Sequence, residues 1–159
     1  MEANLIDELL ALDLLTLREH TERAGDAMEP AQQREQLCQS LAQSRLCSVR
    51  REGRLIAYAM LRPADGMTWF VGGFNTDPAH RSAPVLRELF AQVAQLLQAE
   101  GASELCSHVY KTNALSLAFH RRLGFRVTRE SDKAVEFRAS VAELMASPAL
   151  RRAAAEAAT

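Results

Sequence analysis

The sequence predicts an α/β domain built on a mixed sheet, and three observations carry that prediction. First, two helical stretches precede an alternation of β-rich runs and helices that closes in a hairpin. Second, "PVLRELFAQVAQLLQA" (84–99) is a long amphipathic helix between two β-rich runs, and such a crossover implies parallel pairing. Third, "REGR" (51–54) joins two β-rich runs by a short turn, which implies antiparallel pairing beside it.

Each element has its own signal. "NLIDELLALDLLTLREHTERAG" (4–25) carries Leu5, Leu9 and Leu12 with Ile6, Leu10 and Leu17 at helical spacing. Asn4, with Asp7 three residues on, reads as its cap and Gly25 as its stop. A second helix fits "EPAQQREQLCQSLAQSR" (29–45), with Pro30 just inside its start. "LCSVRREGRLIAYAMLRP" (46–63) reads as a hairpin, followed after the loop "PADG" by the strand "MTWFVGGFNT" (67–76). Gly72 and Gly73 there predict a bulge or a close backbone approach. In the helix over 84–99, Val85, Leu86, Leu89, Phe90, Val93, Leu96 and Leu97 form one apolar face, and Gly101 ends it. "SELCSHVY" (103–110) is a strand. "NALSLAFHRRLGF" (113–125) is a short helix capped by Asn113 and stopped at Gly124. "RVTRESDKAVEFRAS" (126–140) is a closing hairpin, and 140–156 a last helix ending in the Ala-rich "RRAAAEAAT".

Length and composition bound the function. With 159 residues, 48% of them hydrophobic, the chain is expected to form one domain over 1–159. A net charge of -1 argues against a polyanion-binding surface, so no nucleic-acid partner is expected. No apolar run approaches the roughly 18 residues of a membrane span, and the acidic start "MEANLIDELL" lacks a secretion signal's basic end. Cys38, Cys47 and Cys106 are odd in number and lack metal-ligand spacing; reduced thiols, a cytoplasmic location and no metal are expected. Sheets of this type bind ligands where strand ends meet helix starts.

Three motifs in order resemble the GNAT family, the GCN5-related N-acyltransferases. "NALSLAFHRRLGF" resembles the family's asparagine-led helix ending in leucine-glycine-phenylalanine. "REGRLIAYAML" is similar to its second and third strands, with their Gly-x-x-x-Gly/Ala-Tyr signature. The strand, Asp-Pro-x-x-Arg and helix of 69–97 complete the resemblance, which runs from about Leu46 to Arg138. It implies a GNAT-like acyl-CoA N-acyltransferase fold: acceptor-side helices over 4–45, a cofactor-binding core over 46–138, and a helix or tail over 140–159. It implies acetyl-CoA, or another acyl-CoA, as co-substrate, and direct attack by a primary amine of a small molecule, amino acid or peptide.

The residues implied follow from the matching positions. The backbone of Phe74, Asn75 and Thr76 would hold the pantetheine arm. Arg81, Ser82, Ala83, Val85, Leu86 and Arg87 would meet the pyrophosphate at a helix N-terminus. Asn113, Ser116 and Phe119 would line the thioester end, and His120 stands where many relatives carry a tyrosine proton donor. Tyr110 is a rival donor. Asp77, His80, Glu104 and His108 are candidate bases for the amine, although Asp77 before Pro78 is also a good turn residue.

Besides His120, the sequence departs from the family in two further places. The phosphate-loop pattern is Arg/Gln-x-x-Gly-x-Gly/Ala, and from Arg81 this chain reads "RSAPVL", with Pro84 and Leu86 at the glycine positions. Proline lacks an N–H, so one phosphate donor is lost by covalent structure, while the amides of Ser82, Ala83, Val85 and Leu86 remain. Relatives also begin with a strand where this chain begins with a helix, so one sheet edge is expected to be exposed or filled by a partner chain, as in a homodimer. Two alternatives therefore stand beside the enzyme: a GNAT-like binding or assembly module with its cleft plugged by Leu86 or Trp69, and an acyltransferase whose donor is an acyl carrier protein.

Overall fold

The computed structural model describes residues 2–148. The elements are α1 (Glu2–Thr16), α2 (Arg18–Arg23), α3 (Pro30–Gln43), β1 (Arg45–Arg51), β2 (Arg54–Pro63), β3 (Thr68–Thr76), a 3-10 turn (Pro78–His80), α4 (Ala83–Glu100), β4 (Glu104–Tyr110), α5 (Ala114–Leu123), β5 (Arg126–Glu130), β6 (Ala134–Ser140) and α6 (Val141–Ala146). The last helix is thus shorter than the expected 140–156, and 149–159 lie outside the described residues.

Six strands form one mixed sheet in the order β1-β2-β3-β4-β6-β5, with β3 and β4 parallel and the other neighbours antiparallel. Strand alternation divides the side chains from Ala57 to Leu61 between two layers, and a bulge at Ile56 puts Leu55 on the Tyr58 side. Leu55, Tyr58 and Met60 meet Leu9, Leu12 and Leu37 of α1 and α3. Ala57, Ala59 and Leu61 lie in a second, larger core with Leu89, Phe90, Val93 and Leu97 of α4, Phe137 and Leu144. β2 is consequently buried along 55–61 on both faces, the reason it reads as a continuous apolar run.

Two expectations at the N-terminus change. The first helix begins at Glu2, so Asn4 lies inside it and is no cap. It also breaks at Leu17, after Thr16 turns its hydroxyl back to the Leu12 carbonyl at 2.9 Å. No strand precedes β1 among the described residues, and β1 is a sheet edge. Part of that edge is covered by α4 rather than left open. The Gln92 side-chain amide accepts from the Ser48 N–H (3.0 Å) and donates to the Ser48 carbonyl (2.7 Å). Arg45–Glu100 and Arg51–Glu88 ion pairs flank it, a charged guard of the kind that discourages strand addition.

The glycine pair of β3 serves both predicted roles. Met60 pairs with Gly73 and Leu61 with Val71, so Gly72 is the bulged residue. At Gly73 a Cβ would stand 2.9 Å from the Tyr58 ring, so the close approach is real. Asn113 caps α5 by accepting from the Ser116 N–H (3.1 Å), and Gly124, at φ 101°, ends it in the left-handed region as expected.

Candidate active site

β3 and β4 pair only from Thr68–Glu104 to Val71–Ser107. Beyond that point β3 follows β2 and β4 follows β6, so the two parallel strands splay apart. A groove enters the split from two sides. One hollow of about 490 Å³ is walled by Phe74, Asn75, Thr76, Arg81, Leu86 and Phe119, with Arg122 at its rim. A second, of about 680 Å³, lies under α2 and α3 and takes in Gln33, Gly73, Ser107, His108, Tyr110 and His120. Both are lined by Leu17, His20, Phe74, Asn75, Asn113 and Ser116, which stand between them.

His120 and Ser107 sit at the split. The ring Nδ1 lies 2.8 Å from the Ser116 carbonyl, which can only accept, so Nδ1 carries the proton. Nε2 therefore accepts the hydroxyl of Ser107 at 3.0 Å. Phe137 stacks on the ring and Phe125 meets it edge-on, both at 4.9 Å. Burial among these rings lowers the pKa of His120 below 6.5, partly opposed by the Ser116 carbonyl, and favours the neutral form. In this arrangement a neutral His120 has no free N–H, and its Nε2 is engaged by the Ser107 hydroxyl.

The chamber floor rests on Asp13, 1% exposed. Its carboxylate accepts from Asn75 (2.7 Å), from Gln33 (2.9 Å) and from the Tyr58 hydroxyl in a close contact. Burial raises its pKa, opposed by those three donors. One side chain of α1 thus ties the sheet and α3 together beneath two groove-lining residues.

The other predicted residues divide. Tyr110 lines the chamber, but its hydroxyl donates to Asp26 (2.8 Å), which also pairs with Lys133 (2.6 Å). Burial and Asp26 raise the Tyr110 pKa, so its proton is held. His108 reaches the chamber rim and pairs with Glu136. Glu104 does not belong to the site: it starts β4, at the paired end of the strand, where it bonds Thr68 and Arg138. Asp77 is the turn residue expected, accepting from the Ala79 N–H and pairing with Arg54, while His80 leans on it. Phe119 stacks on Phe90 at 5.7 Å and meets Phe74 at a tilt at 5.9 Å, making an aromatic wall of the groove.

The loop is changed more than the sequence suggests. The Ser82 N–H donates to the His80 carbonyl and the Leu86 N–H to the Ser82 carbonyl, so neither is free for a phosphate. With Pro84 lacking an N–H, the first turn of α4 retains the amides of Ala83 and Val85. The Val85 side chain is core, and Ala83 and Arg87 border a neighbouring hollow of about 330 Å³. Arg81 and Arg122 line the groove. Neither suspected plug fills the split: Trp69 is 7% exposed in the main core, and Leu86 is part of the wall.

Three features escaped sequence reasoning: Ser107, Asp13 and His20. Ser107 shares a strand face with Leu105 and Val109, a visible alternation, but its histidine partner is set only by the fold. Cys106, His108 and Glu136 also place a sulfur, a ring nitrogen and a carboxylate oxygen within 4.8 Å of one another, a ligand grouping that linear spacing hid.

The acetyltransferase (GNAT) family model matches residues 9–125. The chain belongs to that family. Solved structures with the same fold include a PaiA N-acetyltransferase from Thermoplasma acidophilum in complex with coenzyme A, 12% identical with a TM-score of 0.67, over 85% of this chain and 92% of that one. An aminoglycoside 6'-N-acetyltransferase from Enterococcus faecium is 12% identical with a TM-score of 0.65, over 87% and 92%. The ribosomal-protein-S18-alanine N-acetyltransferase from Escherichia coli is 16% identical with a TM-score of 0.60, over 85% and 88%. A search of curated proteins finds no match. Among the described residues no helix is long and apolar enough to cross a membrane.

Proposed function

We propose that this chain transfers an acyl group, most simply acetyl, from acyl-CoA to a primary amine by direct attack. The observation that carries the reading is the unplugged split between β3 and β4, with a hollow lined by Arg81 and Arg122 on one side and a polar chamber on the other. The pantetheine arm lies along Phe74–Thr76, with the phosphates near Arg81, Arg122 and the amides of Ala83 and Val85. Guanidinium groups here take over part of the work that a glycine loop gives to amides. The coenzyme A held by the T. acidophilum neighbour supports the donor class.

The chemistry follows from Ser107 and His120. The attacking nitrogen must lose a proton as its bond to the thioester carbon forms, and the departing sulfur must gain one as its bond breaks. Ser107 Oγ takes the proton from nitrogen while passing its own to His120 Nε2. The imidazolium formed returns it through Ser107 to the thiolate. Atoms and charge balance, and one pair serves as base and then acid. No cysteine is needed: burial holds the thiol of Cys47 up at about 11, and no acyl-cysteine step enters.

Polar Gln32, Gln33 and Gln36 with Asp26 and Glu29 suit an acceptor that carries hydrogen-bonding groups beside its amine. The test is thiol release from acetyl-CoA across a panel of amino acids, aminated sugars, polyamines and peptides. Amine-dependent release that is slowed about 10- to 100-fold in Ser107→Ala is expected. Release no faster with any amine than without, from protein that binds acetyl-CoA, overturns direct transfer to a free amine.

A further inference from the structure

We propose that Cys106, His108 and Glu136 form a binding site for a divalent metal ion, Zn²⁺ by ligand type, on the face of the sheet beside the acceptor chamber. Cys106 and His108 are two residues apart on β4 and so project to the same side. The β4–β6 register sets Glu136 directly across from His108. The three ligand atoms lie within 4.8 Å of one another. Thiolate, imidazole and carboxylate are the donors Zn²⁺ takes together, and three protein ligands leave a fourth position for water.

The arrangement around the ligands is that of a held site. Glu136 uses its two oxygens differently. Oε1 accepts from the Thr128 hydroxyl (2.8 Å) and Arg138 (3.3 Å), while Oε2 lies 3.1 Å from His108 Nε2. The carboxylate is thus oriented through one oxygen and offers the other, as outer partners orient a metal ligand. Phe70 packs edge-on against the His108 ring, centroids 5.1 Å apart, and fixes its plane. Arg138 brings positive charge nearby, and Glu104, 2.6 Å away, offsets it.

His108, 56% exposed, is the open side of the site, while Cys106 is buried and the Glu136 side chain is 12% exposed, so an ion would enter past His108. Binding forms the metal–sulfur bond as the thiol of Cys106 releases its proton to solvent, so affinity rises with pH. The ion would join β4 to β6 at the chamber rim, which His108 lines.

The test uses the full chain after dialysis against a chelator and does not depend on acyl transfer. Calorimetry with Zn²⁺ and absorption with Co²⁺ are run on the wild type, Cys38→Ser, Cys106→Ser and His108→Ala. Cys38→Ser removes the exposed thiol as a confounder, and His108→Ala alters an exposed side chain that the core does not use. One equivalent of Zn²⁺ in the wild type and Cys38→Ser, with affinity at least about tenfold weaker in His108→Ala, is expected. A thiolate-to-cobalt band in the wild type and Cys38→Ser, absent in Cys106→Ser, is expected with it. No saturable binding by the wild type, or equal affinity in His108→Ala, overturns the site.

Discussion

Ser107 Oγ and His120 Nε2 lie 3.0 Å apart where β3 and β4 separate, and the His120 proton is committed on the other side of the ring to the Ser116 carbonyl. A hydroxyl, an imidazole nitrogen and a carbonyl that orients the ring meet there, beside residues that line the groove.

The pair should act as a unit. Ser107→Ala and His120→Phe should each lower kcat by about 10- to 100-fold while acetyl-CoA affinity changes little. The double variant should lose no more than about either single one. The neutral imidazole is the working form, and burial lowers its pKa, so activity is present above and lost as pH falls through a value below 6.5. A kcat profile against pH checks this: the acid limb lies below 6.5 in the wild type and disappears in His120→Phe.

The two adjacent glycines of β3 should differ sharply. A Cβ at Gly73 meets the Tyr58 ring at 2.9 Å and its hydroxyl oxygen at 3.1 Å, and Tyr58 is fully buried and tied to Asp13. A Cβ at Gly72 meets only the end of Arg62, at 3.4 Å, and the Met60 carbonyl at 3.9 Å. Gly73→Ala should cost about 1–3 kcal/mol in urea unfolding, as overpacking does, and Gly72→Ala less than about 1.

Asp13 holds three donors in the interior, and removing it takes the acceptor from the Tyr58 hydroxyl and from Gln33 and leaves Asn75 only its 3.1 Å bond to Tyr58. Asp13→Ala should cost about 2–4 kcal/mol, whereas Asp13→Asn keeps an acceptor for Asn75 and Tyr58 and is tolerated. The pKa of Asp13 is raised above 3.8, so its charged form opposes the fold. That cost is fully present above the raised value and is relieved as pH falls through it toward 3.8. Wild type should therefore gain on Asp13→Asn as pH is lowered, read as denaturant midpoints.

Arg81 and Arg122 should replace the missing glycine loop. Arg81→Ala with Arg122→Ala should weaken CoA about tenfold or more and phosphopantetheine much less, since the latter lacks the nucleotide phosphates. Pro84→Ala restores one N–H at the start of α4 and should tighten CoA about two- to fivefold. Equal losses for both ligands in the double variant would place the cations elsewhere on the donor.

Local signals made most elements legible. The apolar face over 84–99 locates α4, found at Ala83–Glu100, and Glu52–Gly53, both at positive φ, form the turn that "REGR" announces. Asn113 and Gly124 bound α5 because a cap and a left-handed stop depend on neighbours in sequence. What could not be read depends on contacts far apart in the chain. Asn75 reaches Asp13 over 62 residues, and no local pattern marks either as the floor of a chamber. Glu104 was a reasonable base by residue type, but strand direction puts it at the closed end of the split. The Leu86 amide is lost to the Ser82 carbonyl because α4 starts earlier than a loop pattern alone implies.

The most direct measurement is titration calorimetry of the purified chain with acetyl-CoA, alongside free CoA and phosphopantetheine. Saturable binding of acetyl-CoA and CoA in the micromolar range, with phosphopantetheine weaker, is the predicted result. Phosphopantetheine as tight as CoA would contradict the phosphate site and point to a carrier-protein donor; no binding of any of the three would contradict the acyltransferase and leave a GNAT-fold binding module.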